Sequence, residues 1–153
     1  MRFPWIEALA TVWAVAGTSQ GVAQQSVREV GFQAVATSSE PVLLVVGPYA
    51  GLRPSPRTRL SVDLGLGISA EEFAWRGEAL AHFLLSPAKR QGWGAYFAGG
   101  VAAVGGPVNR GYLVLTLGLE QRPAAAAGWL AELGVGGGVR LGAGYRWRTA
   151  RVK

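Results

Sequence analysis

Residues 59–69, RLSVDLGLGIS, place Leu60, Val62, Leu64, Leu66 and Ile68 on one parity and Arg59, Ser61, Asp63, Gly65, Gly67 and Ser69 on the other. No large apolar side chain strays to the second set. Period two is the signature of a β-strand with one greasy face, because successive side chains of a strand point to opposite sides. A helix would need apolar residues at three- and four-residue spacing. A strand this long with one wholly apolar face must press that face against something that is not water, and the identity of that something decides the fold.

Seven further windows carry the same alternation. Residues 27–37 set Val30, Phe32, Ala34 and Ala36 against Glu29, Gly31 and Gln33; 42–52 is apolar on both parities at its start. In 73–85, Trp75, Ala79, Ala81, Phe83 and Leu85 oppose Arg76, Glu78 and His82. In 92–104, Trp93, Ala95, Phe97, Val101 and Ala103 oppose Gly94, Tyr96, Ala98, Gly100 and Ala102. In 111–121, four leucines from Leu113 to Leu119 oppose Thr116, Gly118 and Glu120. In 127–137, Trp129, Ala131, Leu133 and Val135 oppose Gly128, Glu132, Gly134 and Gly136, and in 139–148, Val139, Leu141, Ala143, Tyr145 and Trp147 oppose Arg140, Gly142, Gly144, Arg146 and Arg148. The eight windows are joined by short segments rich in Pro, Gly and Ser, which suit antiparallel neighbours in an up-and-down meander. They form one domain over 24–153. Residues 1–23 are set apart: Arg2 near the start, an apolar stretch from Ala8 to Ala16 and the small-residue pair Gly21 and Ala23 predict a secretory signal peptide cleaved after Ala23.

Two faces remain to be assigned. Only 16% of the chain is charged, 23 residues are glycine and just two are lysine, whereas a face turned to water normally carries many lysines and other polar side chains. The polar parity holds small residues and charges of both signs: Asp63, Arg76, Glu78, His82, Glu120, Glu132, Arg140 and Arg146. That mixture suits the narrow interior of an eight-stranded barrel, filled by its own side chains, and predicts a network of charge pairs that plugs the lumen. The apolar parity carries Trp75, Trp93, Trp129, Tyr145 and Trp147 near strand ends, where aromatic residues collect at membrane interfaces. A tilted membrane strand needs about 9–11 residues, and these windows supply them. In an up-and-down barrel, Arg53, Arg57, Lys89, Arg90, Arg122, Arg151 and Lys153 fall at one rim, and Glu40, Glu71, Glu72 and Arg110 at the other. The expected fold is therefore an all-β, eight-stranded antiparallel transmembrane barrel following a cleaved signal peptide. The chain has no cysteine and one histidine, which excludes disulfides, cysteine zinc sites and multi-histidine metal sites. No cofactor or metal is expected. The net charge of +6 is divided between lumen and rim, with no nucleic-acid motif.

The last window is the most specific. Arg140, Gly142, Tyr145 and Trp147 set a polar residue, a glycine two positions on, and aromatics at the sixth and eighth positions. This resembles the assembly signal of small outer-membrane β-barrel proteins of the OmpA/OmpX type, and the architecture from Val27 to Trp147 resembles theirs. Here Arg148 to Lys153 follow the final aromatic, where such chains usually end. The resemblance implies recognition by the barrel-assembly machinery, a monomer surrounded by outer-membrane lipid, and a structural or surface-interaction role. Some small barrels of this kind are lipid A deacylases with a His–Ser pair two residues apart. Here Ser86 stands four residues from His82, about 13 Å along a strand, too far for a nucleophile and its base, so no enzymatic activity is expected. Two alternatives share the same alternation: a soluble exported lipocalin-like barrel with the apolar parity inside around a small apolar ligand, and a narrow pore.

Overall fold

The computed structural model describes residues 26–149. The leader with its cleavage site, and the tail bearing Arg151 and Lys153, lie outside the described residues. Eight strands follow one another: β1 (Val27–Thr37), β2 (Leu43–Arg53), β3 (Thr58–Ser69), β4 (Glu72–Leu84), β5 (Trp93–Gly105), β6 (Arg110–Gln121), β7 (Ala127–Val135) and β8 (Val139–Thr149). Each pairs antiparallel with its neighbours in sequence, and β8 returns to β1 to close the barrel. The closing seam runs from Arg28 opposite Thr149 to Thr37 opposite Arg140. Boundaries differ from the periodicity by a residue or two. β7 stops at Val135, because Gly136, Gly137 and Gly138 form the turn, the last two with φ of 84° and 134°. Arg53, expected in a connection, is the last residue of β2 and is buried.

The apolar parity faces outward on every strand. Leu113, Leu115 and Leu117 are 80%, 65% and 70% exposed, and 28 large hydrophobic side chains are exposed among the described residues. The soluble alternative is thereby corrected: the apolar residues lie outside the barrel, and arginine and glutamate fill the inside. Each large side chain left in water would forgo roughly 1.5–3 kcal/mol of burial. Summed around the wall this exceeds the roughly 5–15 kcal/mol net stability of an ordinary domain. An eleven-residue strand such as β1, tilted by about 40°, rises roughly 28 Å, close to the ~25 Å apolar band of an outer-membrane barrel.

The lumen is not polar throughout. Val35, Leu43, Val45 and Ala74 pack together inside, with Val104 against them, and Leu80, Ala98, Ala102 and Val114 form a second inner cluster. The first cluster explains why β2 begins apolar on both parities: Leu44 and Val46 face out while Leu43 and Val45 face in. The first and last described residues and the connections 54–57, 85–92 and 122–126 share one end of the barrel, here the terminal end. The opposite end holds the connections 38–42, 70–71, 106–109 and 136–138.

At the opposite end, β3 and β4 are joined by Ala70 and Glu71 alone, with φ of 51° and 64°. Two consecutive left-handed residues make a type I′ turn, which favours Asn-Gly, so both native residues hold an unfavourable conformation. Replacing them together, Ala70→Asn with Glu71→Gly, is expected to raise stability by about 1 kcal/mol, read as a higher urea midpoint for the barrel refolded in detergent micelles.

Candidate functional site in the barrel lumen

The polar parity converges on two linked clusters of buried charge. In the first, Glu78 on β4 accepts two hydrogen bonds from Arg140 on β8, from Nε at 3.0 Å and Nη2 at 2.7 Å, and a further one from Arg76 Nε. Arg140 Nη1 reaches Glu132 Oε2 on β7 at 2.7 Å. The same Glu132 oxygen accepts from Gln33 Nε2 at 2.9 Å, and its other oxygen accepts from the Tyr96 hydroxyl at 2.7 Å. Two arginines thus balance two glutamates. Bidentate guanidinium–carboxylate geometry is the strongest form of side-chain ion pairing, and a lumen shielded from water needs it, because an unpaired buried charge is costly.

The second cluster lies toward the terminal end. Glu29 on β1 and Glu120 on β6 face Arg53, Arg59, Arg146 and Arg148. Arg53 Nε sits 2.5 Å from Glu29 Oε1 and its Nη2 2.8 Å from Glu120 Oε1. Arg59 Nη1 sits 3.2 Å from Glu120 Oε2 and 3.7 Å from Glu29 Oε2. Arg146 Nη1 is 3.5 Å from Glu29 and the same side chain meets Glu120; Arg148 Nε is 3.0 Å from Glu29 and its Nη2 also meets Glu120.

Between the clusters stands a layer of rings. The Arg59 guanidinium lies 4.7 Å from the centre of the Tyr96 ring, a cation–π arrangement. His82 Nδ1 is 2.9 Å from Arg59 Nη2, and His82 Nε2 is 2.8 Å from Ser61 Oγ. Arginine can only donate, so Nδ1 accepts and Nε2 carries the proton that it donates to Ser61. This orientation is the reverse of what a nucleophilic serine requires: Nε2 has no lone pair to take the hydroxyl proton, and a cation holds Nδ1 where an activating carboxylate would be needed. The serine beside His82 is thus Ser61 on β3, a strand neighbour, and the pair is a structural bridge. Ser86 lies in the connection after β4.

Not every residue singled out by parity joins these clusters. Arg76, Glu78, His82, Glu120, Glu132, Arg140 and Arg146 are all buried inside. Asp63 is on the lumen side but forms no ion pair among the described residues, and its Oδ2 is buried without a partner. Its correction has a simple cause. Asp63 stands directly across from Glu78, whose longer side chain takes both Arg76 and Arg140. Arg59, Glu29, Arg53, Arg148, Tyr49 and Tyr96 belong to the lumen without having been singled out as site residues. The parity of Arg59, Glu29, Tyr96 and Arg148 was readable; Arg53 sits where a strand end and a turn look alike in sequence.

Glycine makes room for the network. A Cβ on Gly118 would fall 2.2 Å from Cζ of Tyr96, and one on Gly142 would crowd Arg140, Gln33 and Glu132 at 3.1–3.2 Å. Gly142, a member of the sequence pattern in the last strand, therefore also gives the first cluster its space. Of that pattern, Arg140 and Gly142 face in, Trp147 faces out and Tyr145 is half-buried in the wall. Outside, Tyr145 bridges Trp129 and Trp147, with 5.0 Å between ring centres in both cases. With Trp93 these aromatics ring the terminal end, while Trp75 lies at the opposite end, 37% exposed.

No protein-family model and no curated protein matches the chain. Solved structures do. The N-terminal β-barrel domain of Pseudomonas aeruginosa OprF superimposes with a TM-score of 0.65 at 15% identity, over 82% of this chain and 98% of that one. Neisserial surface protein A (NspA) gives 0.58 at 13% identity, over 84% of this chain and 100% of that one. The de novo designed TMB2.3 gives 0.58 at 15% identity, over 83% and 98%. The chain has the eight-stranded fold of the small outer-membrane barrels, as its last strand led one to expect.

The crowding of cations around Glu120 sets a clear contrast between carboxylates. Glu120→Gln is expected to destabilise the barrel by about 3–5 kcal/mol, since it leaves buried arginines without their counter-charge. Asp63→Asn, which removes a charge that pairs with nothing, is expected to shift stability by less than about 1 kcal/mol. Urea midpoints of the two variants in the same micelles measure both.

Proposed function

We propose that this protein is an outer-membrane barrel that stands in the bilayer as a plugged, non-enzymatic scaffold with a structural or surface-interaction role. The observation that carries the reading is the inversion of the fold: a continuous apolar wall outside, and buried Arg–Glu clusters inside. Such a wall is stable only where an apolar solvent surrounds it, and an inward set of paired charges belongs to a barrel whose outside is lipid. The barrel shares its fold with the OprF domain and NspA, both bacterial, which supports placement in the outer membrane and export by a leader. The aromatics at both ends suit the two interfaces of the bilayer. The final strand supports recognition by the assembly machinery, and outer-membrane lipid is the partner that the wall demands.

The plug separates this reading from the narrow pore. Arg59, Arg140 and Arg146 have no solvent exposure at all, and two inner hydrophobic clusters fill further space in the same lumen. With short connections at both ends, the surface offered beyond the membrane is small, and a role in membrane architecture suits it better than adhesion through long loops.

The mature chain refolded into micelles is expected to run on a gel as a compact band that shifts on boiling, and to precipitate when detergent is withdrawn. Reconstituted into a planar bilayer it is expected to show no steady conductance steps. A β-rich monomer soluble without detergent would overturn the membrane assignment, and regular conductance steps would replace the plugged scaffold with the pore.

A further inference from the structure

The charge of the lumen is unevenly spread. The cluster around Glu78 and Glu132 balances two arginines with two glutamates. The terminal-end cluster sets four arginines, Arg53, Arg59, Arg146 and Arg148, against Glu29 and Glu120 alone. Two positive charges are left over within this cluster. The shortage is also one of acceptors. Four guanidinium groups present about twenty N–H donors, and two carboxylates offer about eight lone-pair sites. Backbone carbonyls take a few: Arg53 Nη1 donates to Pro123 O at 3.3 Å, and Arg148 Nη1 donates to the carbonyls of Arg122 and Ala125. Arg146, with no solvent exposure, meets only the two carboxylates it shares with the other three arginines, Glu29 and Glu120.

The excess lies beneath an opening. At the terminal end, a vestibule of about 490 Å³ is floored by Arg53 and Arg148 and walled by proline and alanine of the three connections. Its walls carry no charged side chain, so the two guanidinium groups supply all the charge of the lining. Arg57, Lys89, Arg90 and Arg122 stand on the same rim, exposed, and add attraction for an incoming anion.

We propose that this vestibule binds an oxyanion of the phosphomonoester class, held by Arg53 and Arg148 and neutralising the surplus charge of the four-arginine cluster. A phosphomonoester carries close to two negative charges at neutral pH and three strong acceptor oxygens, matching the surplus in both charge and acceptors. Arg53 Nη1, Arg53 Nη2 and Arg148 Nη2 each carry two N–H bonds and have one partner, so each keeps a donor for such an anion. Free phosphate and a phosphomonoester lipid headgroup share this chemistry, and both can reach an opening at the membrane surface. The inference rests on the barrel, not on its membrane or biological role.

The test uses the refolded chain in uncharged maltoside micelles in chloride buffer. The temperature at which the compact gel band is lost is measured while inorganic phosphate is titrated at constant ionic strength, or while phosphatidic acid is mixed into the micelle. A saturable rise of roughly 5–10 °C is expected when phosphate stands about 100-fold above its dissociation constant. In Arg53→Gln/Arg148→Gln, which brings the cluster to two arginines and two glutamates, the rise is expected to vanish. A rise with phosphate identifies a free anion as sufficient; a rise with phosphatidic acid alone identifies the headgroup; either, lost in the double variant, supports the site. If the double variant gives no compact band, Arg148→Gln replaces it and must show a smaller rise than the parent. A parent barrel that forms its compact band but responds to neither probe overturns the site while leaving the barrel standing, as does an equal response in the variants.

Discussion

Closure is the constraint on which everything else in this molecule rests. A strand edge facing lipid would leave a row of backbone N–H and C=O groups with no partner, at several kcal/mol each. The seam between β1 and β8 removes both edges at once. Once the sheet is closed, each strand has an inside and an outside, and the pleat assigns alternate residues to each. Eight strands enclose a space that side chains can fill. The inside is therefore a packing problem, and here it is solved with arginine, glutamate and tyrosine set among glycine.

That solution is graded along the axis. Near the opposite end the interior is apolar, with Val35, Leu43, Val45 and Ala74 in contact. The balanced cluster around Arg140 and Glu78 follows, then the layer of Tyr96, His82 and Ser61, and last the arginine-rich cluster around Glu29 and Glu120. Large side chains are set against glycine, so that the Tyr96 ring lies over Gly118 of the next strand and the Arg140 fork lies beside Gly142 of its own. The lumen is held by few carboxylates, of which Glu29, Glu78 and Glu120 each serve more than one cation, and removal of one of these disturbs several strands together.

Much of this was legible in the chain. In β3 and β8 every large apolar residue falls on one parity, so strand identity, face and even boundaries follow from period two. The direction of the greasy face followed from the scarcity of lysine and the glycine on the polar parity. What stayed hidden depends on how far each strand is staggered against the next. Arg53 and Glu120 are 67 residues apart in the chain, and no periodicity tells that they share a level inside the barrel. Asp63 shows the same limit from the other side: its parity is right, but its height puts it beside Glu78, where the cations are already taken. β2 was obscured for a different reason. Its inner residues are the apolar plug, so the contrast between its two faces fades where Leu43 and Val45 point inward.

The final strand carries Arg140, Arg146 and Arg148, half of the six arginines that pair inside the lumen. A seven-stranded sheet lacking β8 would keep Arg53, Arg59 and Arg76 with four paired glutamates, and Glu132 would have no cation. Adding the last strand turns this set of groups from one net negative charge to two net positive ones. The segment that zips the wall shut is thus also the one that changes the sign of its interior, so that whatever approaches the terminal mouth meets two arginines matched by two glutamates in an unfinished barrel and a twofold positive excess in a finished one.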